Sequence, residues 1–431
     1  MHTPSEDLLL HVECMTYGGR GLARRPDGKV VFVDGALPGE TVMARVTSDR
    51  RDFAEACVVQ VMERSPLRTE PFCESFGLCG GCDWQHALYR HQVEFKRGIL
   101  EDALTRAVKT PFETEPDVPS PQDRNYRCRA TLRVVLGASG GLGFFARRSH
   151  EVVRIRSCPL LSDRVREIVA SLERELGAVT QGRAVSVDVA APSRQALVAV
   201  TIDGAPEKAA ISRADNLRRA LGIEGLSLRF TQSKKTWIIG SPHAWYSLET
   251  GRERFTMAFG IGGFVQANPP VNTLLVEDVV AKVSGSREVL DLFSGSGNFA
   301  VPLGPHASSV VAVEHDETLV RAGRAASSEN KCSNVTFVRG DALRTLTRLK
   351  REGRRFDAVI LDPPRKGARD IAEVLDPGVA PLVIYVSCNP STLARDVSLL
   401  TRRGFRLEST RLYDMFPHTH HVETVVLMSR L

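Results

Sequence analysis

The sequence predicts an α/β protein: a small N-terminal β-barrel, a mixed α+β middle and a C-terminal doubly wound parallel sheet. Three observations carry this. From about Met257 onward, the apolar runs EVLDLFS, SVVAVEHD, NVTFVRGD, FDAVILDPP and PLVIYVSC alternate with helical segments, the pattern of a parallel sheet covered on both faces. The first 65 residues hold shorter runs (KVVFVDG, ETVMARVT, EACVVQVM) separated by Pro-Asp-Gly, Leu-Pro-Gly-Glu and Ser-Asp-Arg-Arg turns. At 431 residues the chain exceeds one ordinary core, so roughly two or three domains are expected.

Taken in order, residues 1–65 read as a small barrel of the kind that presents a basic face to RNA, with Arg20, Arg24, Arg25, Lys29, Arg50 and Arg51 as candidate phosphate contacts. Residues 66–255 form the middle domain. It opens with a cysteine-rich stretch, continues through the helical period of YRHQVEFKRGILEDALTRAV at 89–108, and then mixes strands (RATLRVVLG, VSVDVA, ALVAVTID) with the helix LLSDRVREIVASLERELG. Residues 256–431 form the parallel sheet. Ligands of such sheets lie beyond the carboxyl ends of the strands, and each run there ends in a small or polar residue.

Composition narrows the class. No apolar run is long enough to span a bilayer, so no membrane partner is expected. MHTPSEDLLLHVEC lacks the basic-then-apolar pattern of a signal peptide, which sets a cytoplasmic expectation. Nine cysteines, an odd number, suit a reducing compartment better than a disulfide framework. A net charge of +6 permits a nucleic-acid partner without requiring one.

The chemistry is concentrated in four motifs. In DLFSGSGNFA, residues 291–300, Gly295 and Gly297 let the backbone turn close to a ligand before a helix begins. Glu314 follows at the end of the next strand, where a ribose would be held through its hydroxyls, and Asp341 ends the third strand, placed for an adenine edge. This order suits S-adenosylmethionine, with NAD as the rival; nothing else in the chain suggests hydride chemistry. DPPR, residues 362–365, fixes Asp362 in a rigid loop lacking two backbone donors, suited to reading the donor edge of a planar base. Such loops also serve enzymes that methylate exocyclic amines.

Cys388, in YVSCNP at the end of a buried run, separates the two chemistries. An exocyclic amine already carries a lone pair. Carbon 5 of uracil needs a thiolate to add at carbon 6 before it can attack a methyl group. A base must then remove the carbon 5 proton. HTHHVETVV offers His418, His420, His421 and Glu423, and a carboxylate entering an apolar strand favours Glu423. The packing alternatives are a core cysteine at 388 and a structural ion pair at 423.

CESFGLCGGC places Cys73, Cys79 and Cys82 at C-x5-C-x2-C spacing. A structural zinc and an iron–sulfur cluster both fit, and both need a fourth thiolate, from Cys128 or from Cys158, which proline follows. A structural or RNA-shaping role is expected rather than a reductive one. Cys14, Cys57 and Cys332 are expected in the core.

Together these residues resemble the RNA 5-methyluridine methyltransferases, specifically the bacterial members that modify 23S rRNA and carry a 4Fe–4S cluster. The resemblance runs nearly end to end through GGFVQANPP, DLFSGSGNFA, DPPRKG, VSCNP and HHVET. It implies a TRAM β-barrel, a central cluster-bearing domain and a Rossmann-like S-adenosylmethionine methyltransferase sheet. It assigns Cys73, Cys79, Cys82 and Cys158 to the cluster, and Gln266, Phe293, Asn298, Glu314, Asp341 and Asp362 to S-adenosylmethionine. Cys388 takes the place of the nucleophile and Glu423 that of the general base. Phe264 takes that of an aromatic near the base, and Arg127 or Arg129 that of a site arginine. The helical stretch 90–125 is lent to the catalytic domain. The implied enzyme is a monomer acting on structured RNA whose target base is flipped out, with 23S rRNA first and tRNA as the alternative. An amine methyltransferase and a noncatalytic RNA-binding protein are the competing classes.

Overall fold

The computed structural model describes residues 7–135, 140–181, 183–233, 235–251 and 253–431. Five strands, Asp7–Met15, Gly21–Arg24, Val30–Asp34, Thr41–Asp49 and Phe53–Glu63, close into a barrel. Its interior is filled by alternate residues such as Leu10, Val12, Val31, Val33 and Val42. Ala23, Ala44, Ala54 and Ala56 keep the side chains small enough for so narrow a barrel. A shift of register between Val12 and Cys14 in the pairing with Gly21–Arg24 turns Cys14 outward, so this thiol is exposed rather than in the core. Cys57 is half-buried and Cys332 buried.

The middle of the chain forms a seven-stranded sheet in the spatial order Thr236–Gly240, Gly225–Phe230, Leu197–Ile202, Ala184–Ala190, Arg129–Val135, Gly141–Phe145, Val152–Arg154. Helix Asp163–Thr180 packs on it through Val165, Ile168, Leu172, Leu176 and Val179, a stripe spaced three to four residues apart.

The C-terminal sheet has eight strands. In space they run Val335–Arg339, Ser309–Glu314, Glu288–Leu292, Ala358–Leu361, Leu382–Ser387, Glu423–Arg430, Phe405–Tyr413, Glu113–Thr114. The first five are mutually parallel, and Glu423–Arg430 is antiparallel to both of its neighbours. Successive residues point to opposite faces: Val310, Ala312, Ile360, Ile384 and Val386 enter one core, Leu290, Val313, Val359, Val383 and Tyr385 the other. Both faces are buried, which is why these strands read as unbroken apolar runs. Strand order reverses between Glu288–Leu292 and Ala358–Leu361, opening a crevice at the carboxyl ends.

Two earlier segments join this sheet. Helix Tyr89–Ala107 sends Val93, Leu100 and Leu104 into one core. The hairpin of His243–Thr250 and Glu253–Gly260 sends Tyr246, Leu248, Phe255 and Met257 into the other. The sequence boundary at 255/256 therefore falls inside a strand that packs on the C-terminal sheet. Among the described residues no helix is long and apolar enough to cross a membrane.

Candidate active site

The glycine loop after Glu288–Leu292 begins with Phe293 at φ +66°, left-handed backbone for a non-glycine residue. Gly297 follows at φ +88°, and a Cβ there would lie 2.7 Å from Phe337 Cζ, so only glycine fits. Gly295, at φ +56°, has open space around it and donates its amide to Glu314 Oε2 at 3.0 Å. The Asp316 amide donates to Glu314 Oε1 at 2.8 Å, so Glu314 ties the loop to the end of the neighbouring strand. Asp341 caps helix Ala342–Arg351, accepting from the Arg344 amide at 2.9 Å. Asn298 exchanges two 2.9 Å amide bonds with Asn272 on helix Pro269–Lys282. Gln266 is buried, and its main-chain carbonyl accepts the Cys128 thiol at 3.2 Å.

Asp291 carries no assignment in the sequence reading. It is fully buried with both carboxylate oxygens unpartnered. Burial, with the charges of Asp362 and Glu314, pushes its carboxyl well above the ordinary range. An acid inside the apolar run EVLDL was the available signal.

Cys388 and Asp362 follow the carboxyl ends of adjacent parallel strands, and Glu423 opens the antiparallel strand beside them. Ser387 pairs with Thr424, which sets Cys388 and Glu423 side by side just past the last rung. Asp362 follows Ala358–Leu361, the strand on the other side. Burial pushes Asp362 up to about 7, and burial together with the charge of Asp362 raises Glu423 well above the usual carboxylate range. Cys388, half-buried, is pushed to about 12 by burial and by the charges of Glu423 and Asp362, against which Arg365 acts. Three acidic groups thus share one poorly solvated pocket. At rest it favours the thiol and the protonated carboxyls.

The substrate candidates separate. Phe264 is 56% exposed, leaving its ring free to stack, with the Arg129 guanidinium 5.9 Å from its centre. Arg129 is also bonded to Asp188 at 3.1 Å. Arg127 instead lines the cysteine cavity, its Nε donating to the Arg129 carbonyl at 3.0 Å.

Cys73, Cys79, Cys82 and Cys158 surround one cavity of about 40 Å³, whereas Cys128 points to Gln266 instead. Among the described residues no three metal-binding side chains converge tightly enough to hold a single ion. Four thiols around one void are nevertheless the donor set of a tetrathiolate group, and the Gly81 amide already points at Cys79 Sγ at 3.4 Å. Burial and mutual repulsion raise Cys82 to about 12, a cost that a cationic occupant would reverse.

The segment leading into Glu423 rests on groups the sequence reading left unassigned. Asp83, next to Cys82, accepts from the His420 amide (3.1 Å) and shares a 2.6 Å contact with His420 Nδ1. The Asp83 and Trp84 amides donate to the His418 carbonyl at 2.9 and 3.1 Å. Burial works to raise Asp83, but the hydrogen bond and charge of His420 and the charge of Arg147 bring it down to about 2. Of the barrel cations, Arg20 pairs with Glu55, Arg24 with Glu13, and Arg25 and Lys29 both with Asp49, so these four are partly neutralised. Arg50 and Arg51 are exposed.

Comparison with known proteins gives the family and the fold. Residues 88–431 match the family model described as tRNA (Uracil-5-)-methyltransferase, and residues 7–59 match the TRAM domain. The 23S rRNA (uracil(1939)-C(5))-methyltransferase RlmD of Hahella chejuensis is 34% identical over 99% of this chain and 98% of its own length. The protein of the same name from Chromohalobacter salexigens is 35% identical over 98% and 89%. The crystal structure of Pyrococcus abyssi tRNA (uracil-54, C5)-methyltransferase in complex with S-adenosyl-L-homocysteine superposes with a TM-score of 0.74 at 23% identity, covering 97% of this chain and 99% of that one.

Proposed function

The chain belongs to the tRNA (uracil-5-)-methyltransferase family, and from that premise we propose that it methylates carbon 5 of a uridine in 23S rRNA, using S-adenosylmethionine, as a cytoplasmic monomer. The observation that carries the reading is the register that sets Cys388 beside Glu423 with Asp362 on the adjoining strand.

The Cys388 thiolate adds to carbon 6 of the flipped-out uracil, and the resulting enolate at carbon 5 attacks the sulfonium methyl. The carbon–sulfur bond of the cofactor breaks, leaving S-adenosylhomocysteine. Glu423 then takes the carbon 5 proton, the carbon 6–sulfur bond breaks, and the thiolate leaves. When bound, the cofactor would supply a cationic sulfonium, which together with Arg365 would favour the ionised forms of Cys388 and Glu423 that burial disfavours. Glu314 holds the ribose hydroxyls and Asp341 the adenine edge. Gln266, Phe293 and Asn298 complete the pocket, and Gly295 and Gly297 permit close backbone approach. Phe264 and Arg129 face the RNA, whereas the position of Arg127 supports a role beside the cysteines.

Cys73, Cys79, Cys82 and Cys158 would hold a 4Fe–4S cluster. When bound, it supplies a cross-link between the 73–82 loop and the turn at Cys158. In domain terms we assign 1–65 to RNA binding, 66–255 to the central unit less the helix at 89–107 and the hairpin, and the remainder to methyl transfer.

The test is a mechanism trap with total RNA containing 5-fluorouridine, whose carbon 5 fluorine cannot leave as a proton. A covalent RNA adduct that disappears in Cys388→Ala, with 23S sequence in the trapped RNA, is the expected result. Trapped tRNA would change the target. Absence of any adduct while both S-adenosylmethionine and RNA bind would favour the amine or noncatalytic class.

A further inference from the structure

The barrel turn at residues 16–20 reaches the proposed active site. Gly18 and Gly19 have φ of +99° and +86°, and the Thr16 hydroxyl closes the turn on the Arg20 carbonyl at 2.9 Å. The fully buried Trp84 pins it by donating Nε1–H to the Gly19 carbonyl at 3.1 Å. A Cβ at Gly19 would lie 2.9 Å from Asp83 Cβ, so the turn can sit this close only as glycine. The result is that Tyr17, half-buried, packs edge-on against His420 with ring centres 5.4 Å apart. After burial, the groups that bear on its hydroxyl are Arg365, Cys388 and Glu423. A barrel side chain therefore packs on the segment that leads into Glu423, within electrostatic reach of Arg365, Cys388 and Glu423.

We propose that Tyr17 is a wall of the uracil pocket, a substrate-positioning residue whose ring holds the flipped base against Cys388, so that the barrel completes the catalytic site. This rests on the uracil reading above. A flipped base needs a π-face to replace the stacking it lost, and an aromatic wall supplies one.

The experiment uses the full-length protein with S-adenosylmethionine and 5-fluorouridine RNA, comparing wild type, Tyr17→Ala and Tyr17→Phe. Adduct formation is timed at saturating RNA, with RNA affinity, S-adenosylmethionine affinity and Tm measured alongside. Tyr17→Ala is expected to slow adduct formation about tenfold or more, with both affinities within about threefold and Tyr17→Phe within about twofold of wild type. An unchanged rate in Tyr17→Ala, while the wild type traps normally, overturns the proposal. So does an equal loss in Tyr17→Phe, which would assign the effect to the hydroxyl. A lowered Tm with lost S-adenosylmethionine binding would make the turn structural and overturn it too. No adduct with the wild type overturns the uracil reading itself, and this inference with it.

Discussion

Asp362 and Arg365 lie three residues apart in one loop yet act on the pocket in opposite senses. Burial raises Asp362 to about 7, so the folded protein keeps a proton that the unfolded chain has already released. Between about pH 4 and pH 7 the folded state therefore binds more protons, and stability falls as pH rises through that window. Asp362→Asn removes this titration. Its Tm relative to wild type should climb from about pH 4 to about pH 7 and then level off; a difference independent of pH would contradict the placement. Arg365 favours the ionised forms of Cys388 and Glu423, so Arg365→Gln should raise both groups. The pH profile of adduct formation then moves to higher pH, by less than about one unit because the guanidinium is exposed and screened. A shift to lower pH would show that Arg365 acts otherwise. At this scale Cys388, Glu423 and Asp362 were legible because an acid or a thiol closing an apolar run is conspicuous. Asp291, an acid inside rather than closing its apolar run, was less conspicuous, and only the folded sheet sets it against Asp362. Arg127 and Arg129 looked interchangeable, but one turns to the cysteines and the other to Phe264.

Helix Tyr89–Ala107 ties to the segment before Glu423 through a fully buried ion pair. Lys96 Nζ lies 2.5 Å from Asp414 Oδ1 and donates to the Phe416 carbonyl at 2.9 Å. Gln92 on the same helix accepts the His418 amide at 2.8 Å. Lys96→Met leaves Asp414 buried without its cation and should cost about 3–5 kcal/mol in urea denaturation. The double replacement Lys96→Met with Asp414→Leu should recover most of that loss, because an ion pair exchanged whole for apolar side chains is near neutral. A single-variant cost under about 1 kcal/mol would mean the pair is not the tie. The helix itself was evident from its 3.6-residue period, as were three of the five barrel strands and the five parallel strands from their apolar runs. Several elements were hidden, two of them beside the C-terminal sheet. Glu113–Thr114 is two residues long and exposed, too short to carry a pattern. The hairpin at 243–260 precedes the regular alternation, and only the core it enters shows which sheet it serves.

At the scale of the whole molecule, the cysteine loop touches three parts of the protein at once. Its continuation at Asp83 and Trp84 carries the barrel turn through Gly19, and the segment entering Glu423 through His418 and His420. Arg147 from the central sheet closes the junction on Asp83 at 2.7 Å. The glycine loop and Glu314 lie at the ends of other strands and share none of these bonds. Loss of whatever the four thiols hold should therefore loosen the junction while leaving the cofactor pocket formed. Cys158→Ser, or removal of the group by oxidation and chelation, should speed amide exchange at residues 83–84 and 418–421, whose main-chain bonds depend on the loop. S-adenosylmethionine affinity should stay within about threefold, since sites with no shared partners couple by only about 0.5 kcal/mol. Fluorouridine trapping should slow, because both Tyr17 and the segment before Glu423 lose their common support. Unchanged exchange at 83–84 together with unchanged trapping would mean the cysteine site stands apart from catalysis. A large loss of S-adenosylmethionine affinity would mean it supports the whole C-terminal sheet rather than this one junction.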